Sequence, residues 1–155
     1  LLFCSAEPNS RYQVEEIAKR LAAKGIETQE FAFTDTNDVA SVTQAAADYA
    51  DVVYVPTDNT AASNAEAIAN ILVPAGVPAI TGEEGICKGC GVATLSISYY
   101  DLGVTTGKMA ARILTGEANI SEMPIEFTEA TPKYNAAMCE TLGITPLEGY
   151  AAIEE

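Results

Sequence analysis

The stretch Asp51-Val52-Val53-Tyr54-Val55-Pro56-Thr57-Asp58-Asn59-Thr60 passes from an apolar run to a polar cluster in one step. Val52 to Val55 is a short β-branched and aromatic run of the kind that fills a buried strand, and the residues behind it are helix-capping types. A strand that ends in caps and runs straight into a helix is the unit of a parallel α/β protein. Asp58 and Asn59 admit two readings: caps of the next helix, or side chains offered to a ligand at the sheet edge. The reading adopted lets Asn59 or Thr60 start the helix and leaves the Asp58 carboxylate free for a guest.

The same alternation extends outward in both directions. Leu1 to Cys4 reads as a first strand. Asn9 to Ala23 then places Val14, Ile17, Ala18, Leu21 and Ala22 on one helical face, stopped by Gly25. Thr28 to Phe33 alternates as a second strand, and Asp38 stands ready to cap a helix with Val39, Val42, Ala46 and Tyr49 on one stripe. After the third strand, a helix over Thr60 to Leu72 turns Ala65, Ile68, Ala69 and Leu72 to the sheet, and Pro74, Gly76 and Pro78 break it before a fourth strand at Ala79 to Thr81.

Gly91 to Ser96 reads as a fifth strand and Leu102 to Leu114 as a helix. Two glycines inside that helix, Gly103 and Gly107, cost roughly 1 kcal/mol each relative to alanine, so close backbone packing is expected to offset them. Pro124 to Thr128 reads as a strand and Asn135 to Leu142 as a short helix ended by Gly143, while nothing assigns the tail after Pro146. The predicted fold class is α/β: a three-layer αβα arrangement on a mostly parallel, doubly wound sheet.

Composition excludes several functions. The chain has 155 residues and 22 acids against 8 bases, a net charge of -14 with no basic cluster, which repels phosphate backbones and disfavours nucleic acid as a partner. No apolar run approaches the roughly 18 residues of a membrane span. There is no histidine, the commonest general base and transition-metal ligand, so hydrolytic triads and mononuclear zinc sites are disfavoured and no metal site is assigned. Ser5 to Ser10 has no glycine and no GxxxxGK[ST] occurs, so no nucleotide cofactor is expected. The opening Leu1-Leu2-Phe3-Cys4 reads as a start inside a strand, the expectation being a fragment of a longer protein.

In an open parallel sheet, ligands bind beyond the carboxyl ends of the strands, where loops and helix amino termini converge. Those loops are Ser5 to Ser10, Thr57 to Thr60, Gly82 to Gly85 and Ser98 to Asp101, all polar and each with a carboxylate. Ser10, Asp58 and Asn59 are accounted for individually as helix caps; the clustering of four polar loops points to a solute. Tyr99 and Tyr100 equally suit one packed and one exposed ring.

Two enzymatic alternatives stay beside this reading. Cys87-Lys88-Gly89-Cys90 is a CxxC, which suits thiol-disulfide redox when it opens a helix after a strand. Here Gly85, Gly89 and Gly91 surround it and a strand follows, so the segment reads as a loop holding a structural disulfide or two idle thiols. A phosphoacceptor domain would need more acids than Glu7 after the first strand and a lysine after the fifth, and that set is incomplete.

Glu7-Pro8-Asn9-Ser10, then Asn37-Asp38-Val39, then Tyr54-Val55-Pro56-Thr57-Asp58-Asn59-Thr60, then Gly91-Val92-Ala93-Thr94-Leu95-Ser96-Ile97-Ser98-Tyr99-Tyr100-Asp101-Leu102-Gly103, in this order and spacing, resemble the tryptophan/tyrosine-type and uncharacterised ABC transporter substrate-binding proteins. The resemblance implies one lobe of a type I periplasmic-binding-protein-like fold: residues 1–90 as the second lobe, and residues 91–155 as a crossing strand, helix and carboxyl-terminal segment that complete the lobe or pack toward a first lobe outside this sequence. It implies a non-catalytic solute-binding component of an ABC importer, at the extracellular face of the membrane as a lipoprotein or in the periplasm, with the ABC permease as partner. The guest would be a small amino acid, aromatic favoured, held at Glu7, Asn9, Ser10, Asp58, Asn59, Thr60, Glu83 and Tyr99, with Glu84 in the same polar stretch as Glu83. Asp58 or Glu83 would pair the α-ammonium and Tyr99 would stack on a ring. An isolated lobe would expose its partner surface and could form a homodimer. A small-molecule sensor lobe is the third reading.

Overall fold

The computed structural model describes residues 1–154. Five parallel strands form its frame: β1 (Leu2–Cys4), β2 (Phe31–Phe33), β3 (Val53–Val55), β4 (Ala79–Thr81) and β5 (Ala93–Ser96). β1 pairs with β2, β3 with β4, and β4 with β5, all parallel, and the two-stranded and five-stranded sheets meet where β1 lies along β3. β6 (Thr131–Tyr134) closes antiparallel onto β5, and β7 (Ala151–Ala152) runs parallel to β6.

The alternation of side chains along each strand divides the core in two. Leu2, Cys4, Phe33, Val53, Val55 and Ala79 point to one face, covered by α2 (Val39–Tyr49), α3 (Asn59–Ser63), α4 (Ala65–Ala75) and α5 (Glu84–Cys90) through Val39, Ala61, Ile68, Leu72 and Ile86. Leu1 and Phe3 point to the other, where α1 (Pro8–Ala22) sets Val14, Ile17 and Leu21 against them and Tyr54. Helices on both faces of a mostly parallel sheet are the expected three-layer plan.

Several expectations need correction. The helix over Thr60 to Leu72 is two helices, because Asn64 leaves helical geometry (φ -123°, ψ 18°) between α3 and α4. α4 runs past Leu72 and through Pro74 to Ala75, ending on Gly76 at φ 72°, where a left-handed backbone favours glycine. Pro124 to Thr128 is not a strand; the strand lies later, at β6. The CxxC segment is not a loop but α5. Gly89 within it and Gly91 just after it serve packing: a Cβ on Gly89 would lie 2.5 Å from the Ala65 Cβ, and one on Gly91 2.6 Å from the Thr81 Cγ2. Asp38 precedes α2 as expected, but its carboxylate turns back to accept from the Thr34 amide and hydroxyl and the Asp35 amide. α6 (Tyr99–Leu114) begins earlier than its apolar period and has no buried residue. A Cβ added to Gly103 or Gly107 would meet nothing within 4 Å, so the close packing expected to offset them is absent within the chain. α7 (Ala136–Leu142) follows β6 and ends on Gly143 as predicted.

Candidate functional site

The polar loops after β1, β3 and β4 follow the carboxyl ends of parallel strands and are bonded to one another in series, with Ser96 at the end of β5 joined to the last of them. The Cys4 amide at the end of β1 donates to Asp58 Oδ2 at 2.7 Å, and the Ala61 amide in α3 donates to Asp58 Oδ1 at 2.8 Å. Glu7 reaches across from the first loop to the start of α3. Its Oε2 accepts from the amide and side-chain nitrogen of Asn59 (2.9 and 2.8 Å), and its Oε1 accepts from the amide and hydroxyl of Thr60 (2.9 and 3.0 Å).

Thr57 is the next junction. Its carbonyl accepts from Asn9 Nδ2 (2.7 Å) and Ser10 Oγ (3.2 Å), its amide donates to Gln13 Oε1 (3.0 Å), and its hydroxyl donates to the Gly82 carbonyl after β4 (3.2 Å). Gly82 must lack a side chain for this approach, since a Cβ there would lie 2.5 Å from the Thr57 nitrogen. The Glu84 amide donates to Ser96 Oγ at the end of β5 (3.1 Å), and the Glu84 carboxylate pairs with Lys133 of β6 at 2.6 Å. Thr57 belongs to a loop the sequence singles out, but Gln13 does not; a glutamine on the polar flank of an amphipathic helix carries no signal that it holds another loop's backbone.

The predicted residues therefore divide. Asp58 is only 2% exposed, and each of its oxygens already accepts a backbone amide, so the expectation of a carboxylate standing free for a guest is corrected: it caps α3 and ties β1 to the loop after β3. The strand end and helix start converge on one acceptor, which a sequence cannot show. Ser10 is buried inside α1 rather than capping it. Glu83 is the N-cap of α5, accepting from Gly85 (2.8 Å) and Ile86. Asn59 and Tyr99 remain the open positions, Tyr99 with 58% of its surface exposed at the start of α6 behind the Ser98 cap. Tyr100 is more exposed still, so neither of the adjacent rings is packed inside.

Electrostatics follow the same pattern. Burial alone would raise the Glu7 pKa, but the amide, hydroxyl and side-chain donors of Asn59 and Thr60 outweigh it and hold the carboxyl below its ordinary value. Burial pushes the Cys87 thiol up to about 11 and the Cys90 thiol up to about 12, away from the thiolate that disulfide exchange needs. Both are free and buried, so the geometry does not favour thiol redox. Among the described residues no group of three metal-capable side chains comes together, and no helix is long and apolar enough to cross a membrane.

Comparison with known proteins agrees with the fold. Residues 1–150 match the family model described as ABC transporter substrate binding protein. A tyrosine-binding protein of Clostridioides difficile (strain R20291) is 25% identical over 131 residues, covering 84% of this chain and 38% of the relative. A Streptococcus ABC domain solved in complex with L-Trp superposes with a TM-score of 0.87 at 30% identity, over 98% of this chain and 53% of that one. A ligand-free, open substrate binding protein with adhesive properties from Clostridium difficile gives a TM-score of 0.78 at 28% identity, over 99% and 52%. The chain thus spans about half the length, or less, of these relatives. A match over nearly its whole length places the chain in the ABC transporter substrate-binding protein family.

Proposed function

We propose that this chain is one lobe of a solute-binding protein that holds a small amino acid, aromatic in preference, for an ABC importer. The observation that carries the proposal is the continuous hydrogen-bonded rim from Glu7 through Asp58 and Thr57 to Glu84, a preorganised edge at the carboxyl ends of parallel strands, where such sheets bind ligands. Relatives that bind tyrosine and L-Trp support the ligand class.

Within the proposed site the roles differ. Glu7, Asn9, Ser10, Asp58, Thr60 and Glu83 fix the loops, and Asn59 and Tyr99 face the guest, with the Tyr99 ring stacked on an aromatic side chain. Residues 1–90 form the lobe proper. Residues 91–155 are the crossing segment, which in a two-lobe protein packs toward the other lobe. The site of action is the extracellular face of the membrane or the periplasm, the partner is the permease, and the isolated chain pairs with itself. Catalysis is not part of the proposal.

A thermal-shift screen of the twenty amino acids against a two-lobe protein containing this chain, with the 155-residue chain beside it, tests the reading. Tyrosine or tryptophan at 100 times its Kd would add about 2.7 kcal/mol of stability. Tyr99→Ala would weaken aromatic ligands more than aliphatic ones. No shift with any amino acid would remove the proposal.

A further inference from the structure

The sequence offers Asp58 or Glu83 as the partner of a solute's α-ammonium, and the structure commits both elsewhere. Each Asp58 oxygen accepts a backbone amide, from Cys4 and from Ala61, and the Glu83 carboxylate accepts from Gly85 and Ile86. Glu7 is committed as well, both its oxygens being taken by Asn59 and Thr60. The same bonds occupy the start of α3. The amides of Asn59, Thr60 and Ala61 all donate to carboxylates of this chain, so none of the three is left for a solute's carboxylate.

The Asn59 side chain is arranged differently. It is exposed, and chemistry fixes which way its amide lies: an ionised carboxylate only accepts, so the atom 2.8 Å from Glu7 Oε2 is Nδ2 and the carbonyl oxygen is the end left over. The donors around Glu7 hold its carboxyl below the ordinary value, so it is ionised at neutral pH. Asn59 Oδ1 accepts no hydrogen bond from the described residues. The loops also cross. Asn59 reaches back to Glu7 while Asn9 Nδ2 donates to the Thr57 carbonyl at 2.7 Å, so each loop is clasped by an asparagine of the other. An amide oxygen held in this way is a fixed acceptor beside a negative charge, which suits a cation and repels an anion.

We propose that Asn59 Oδ1 receives the α-ammonium of the bound amino acid, with the Glu7 carboxylate behind the amide supplying the compensating charge. The solute then lies with its ammonium toward the loops after β1 and β3 and its carboxylate away from α3. The inference rests on the amino-acid reading above and deepens it: the solute must carry a protonated amine, and an acid with the same ring and no amine is discriminated against.

The test is titration calorimetry at neutral pH of a two-lobe protein containing this chain, comparing L-tryptophan and L-tyrosine with their deaminated forms, indolepropionate and hydroxyphenylpropionate. The amino acids should bind more tightly than the deaminated acids. Asn59→Ala should weaken the amino acids about tenfold or more, as expected for a lost hydrogen bond to a charged group, and leave the deaminated acids unchanged. The backbone amide at this position still donates to Glu7 in the variant, so circular dichroism should show the fold intact. A loss shared equally by amino acids and deaminated acids would overturn the proposal, because a loosened loop weakens every ligand alike. So would an amine-specific loss that follows Asn9→Ala or Asp101→Asn, the exposed acceptors of neighbouring loops, and spares Asn59→Ala. No binding of any amino acid by the unmutated protein would bring down the transport reading and this inference with it; amino acids bound, with no amine-specific effect of Asn59→Ala, would defeat this inference alone.

Discussion

Residues 1–96 and residues 97–154 are built on different terms. The first region holds almost all the buried side chains, from Leu2 and Phe33 to Ile68, Leu72 and Ile86. In the second, Cys139 is the single buried residue among those described, although α6 is the longest helix of the described residues. Helical periodicity is equally clear in both, so periodicity alone does not report where stability resides. Apolar area removed from water does, and the second region removes little of it within its own chain.

The largest expected contrast lies in side-chain truncation. Leu72→Ala in α4 empties a fully packed position and should cost about 2–5 kcal/mol. Leu114→Ala at the end of α6 should stay within about 0.5 kcal/mol in the monomer. Urea denaturation followed by circular dichroism measures both; equal losses would erase the distinction between the regions.

A smaller contrast lies in the helix caps. Asp58→Ala removes the cap of α3 and strands the Cys4 amide at the end of a buried strand, for about 1–3 kcal/mol and a lower global melting temperature. Ser98→Ala removes only the bond to the Asp101 amide. It should fray the first turn of α6 in amide exchange, with the melting temperature unchanged. A large global effect of Ser98→Ala would show that α6 contributes more to the lobe than its exposure indicates.

The smallest effect is that of pH on the rim. Glu7 has a folded pKa below its ordinary value, so the stabilisation it brings is present above the ordinary carboxyl range. It is lost as pH falls through the ordinary value toward the lowered one. The Asn59 and Thr60 amides should therefore exchange faster, after correction for intrinsic rates, as the solution is acidified through that window. Glu7→Gln should flatten this dependence while leaving α6 exchange untouched. An unchanged profile in that variant would assign the acid sensitivity to another carboxylate, Asp38 being the next, since the Thr34 and Asp35 donors hold it low as well.

Much of the first region was legible because its signals are local. Val53 to Val55 and Ala79 to Thr81 are apolar runs bounded by turn residues, and Val14, Ile17 and Leu21 mark one face of a helix whatever surrounds it. α5 was not legible. Glycine at 89 and 91 reads as a loop in sequence, and only the approach of Ala65 and Thr81 shows that these positions need the space. The polar rim was half legible: its loops were visible as polar, their joint position followed from parallel strand order, and the occupation of Asp58 and Glu7 by each other's neighbours was not.

The sequence by itself determined the α/β alternation, the strand ends at which polar residues gather, and the absence of histidine chemistry and of a nucleotide loop, because these depend on residue type and spacing along the chain. Tertiary structure alone decided that Asp58 and Glu7 bond to neighbouring loops rather than stand open, that Cys87 and Cys90 are buried thiols in a helix, and that α6 buries no residue fully within its own chain. Each of those depends on which segments meet, and contacts between residues some fifty positions apart leave no periodic trace in either segment.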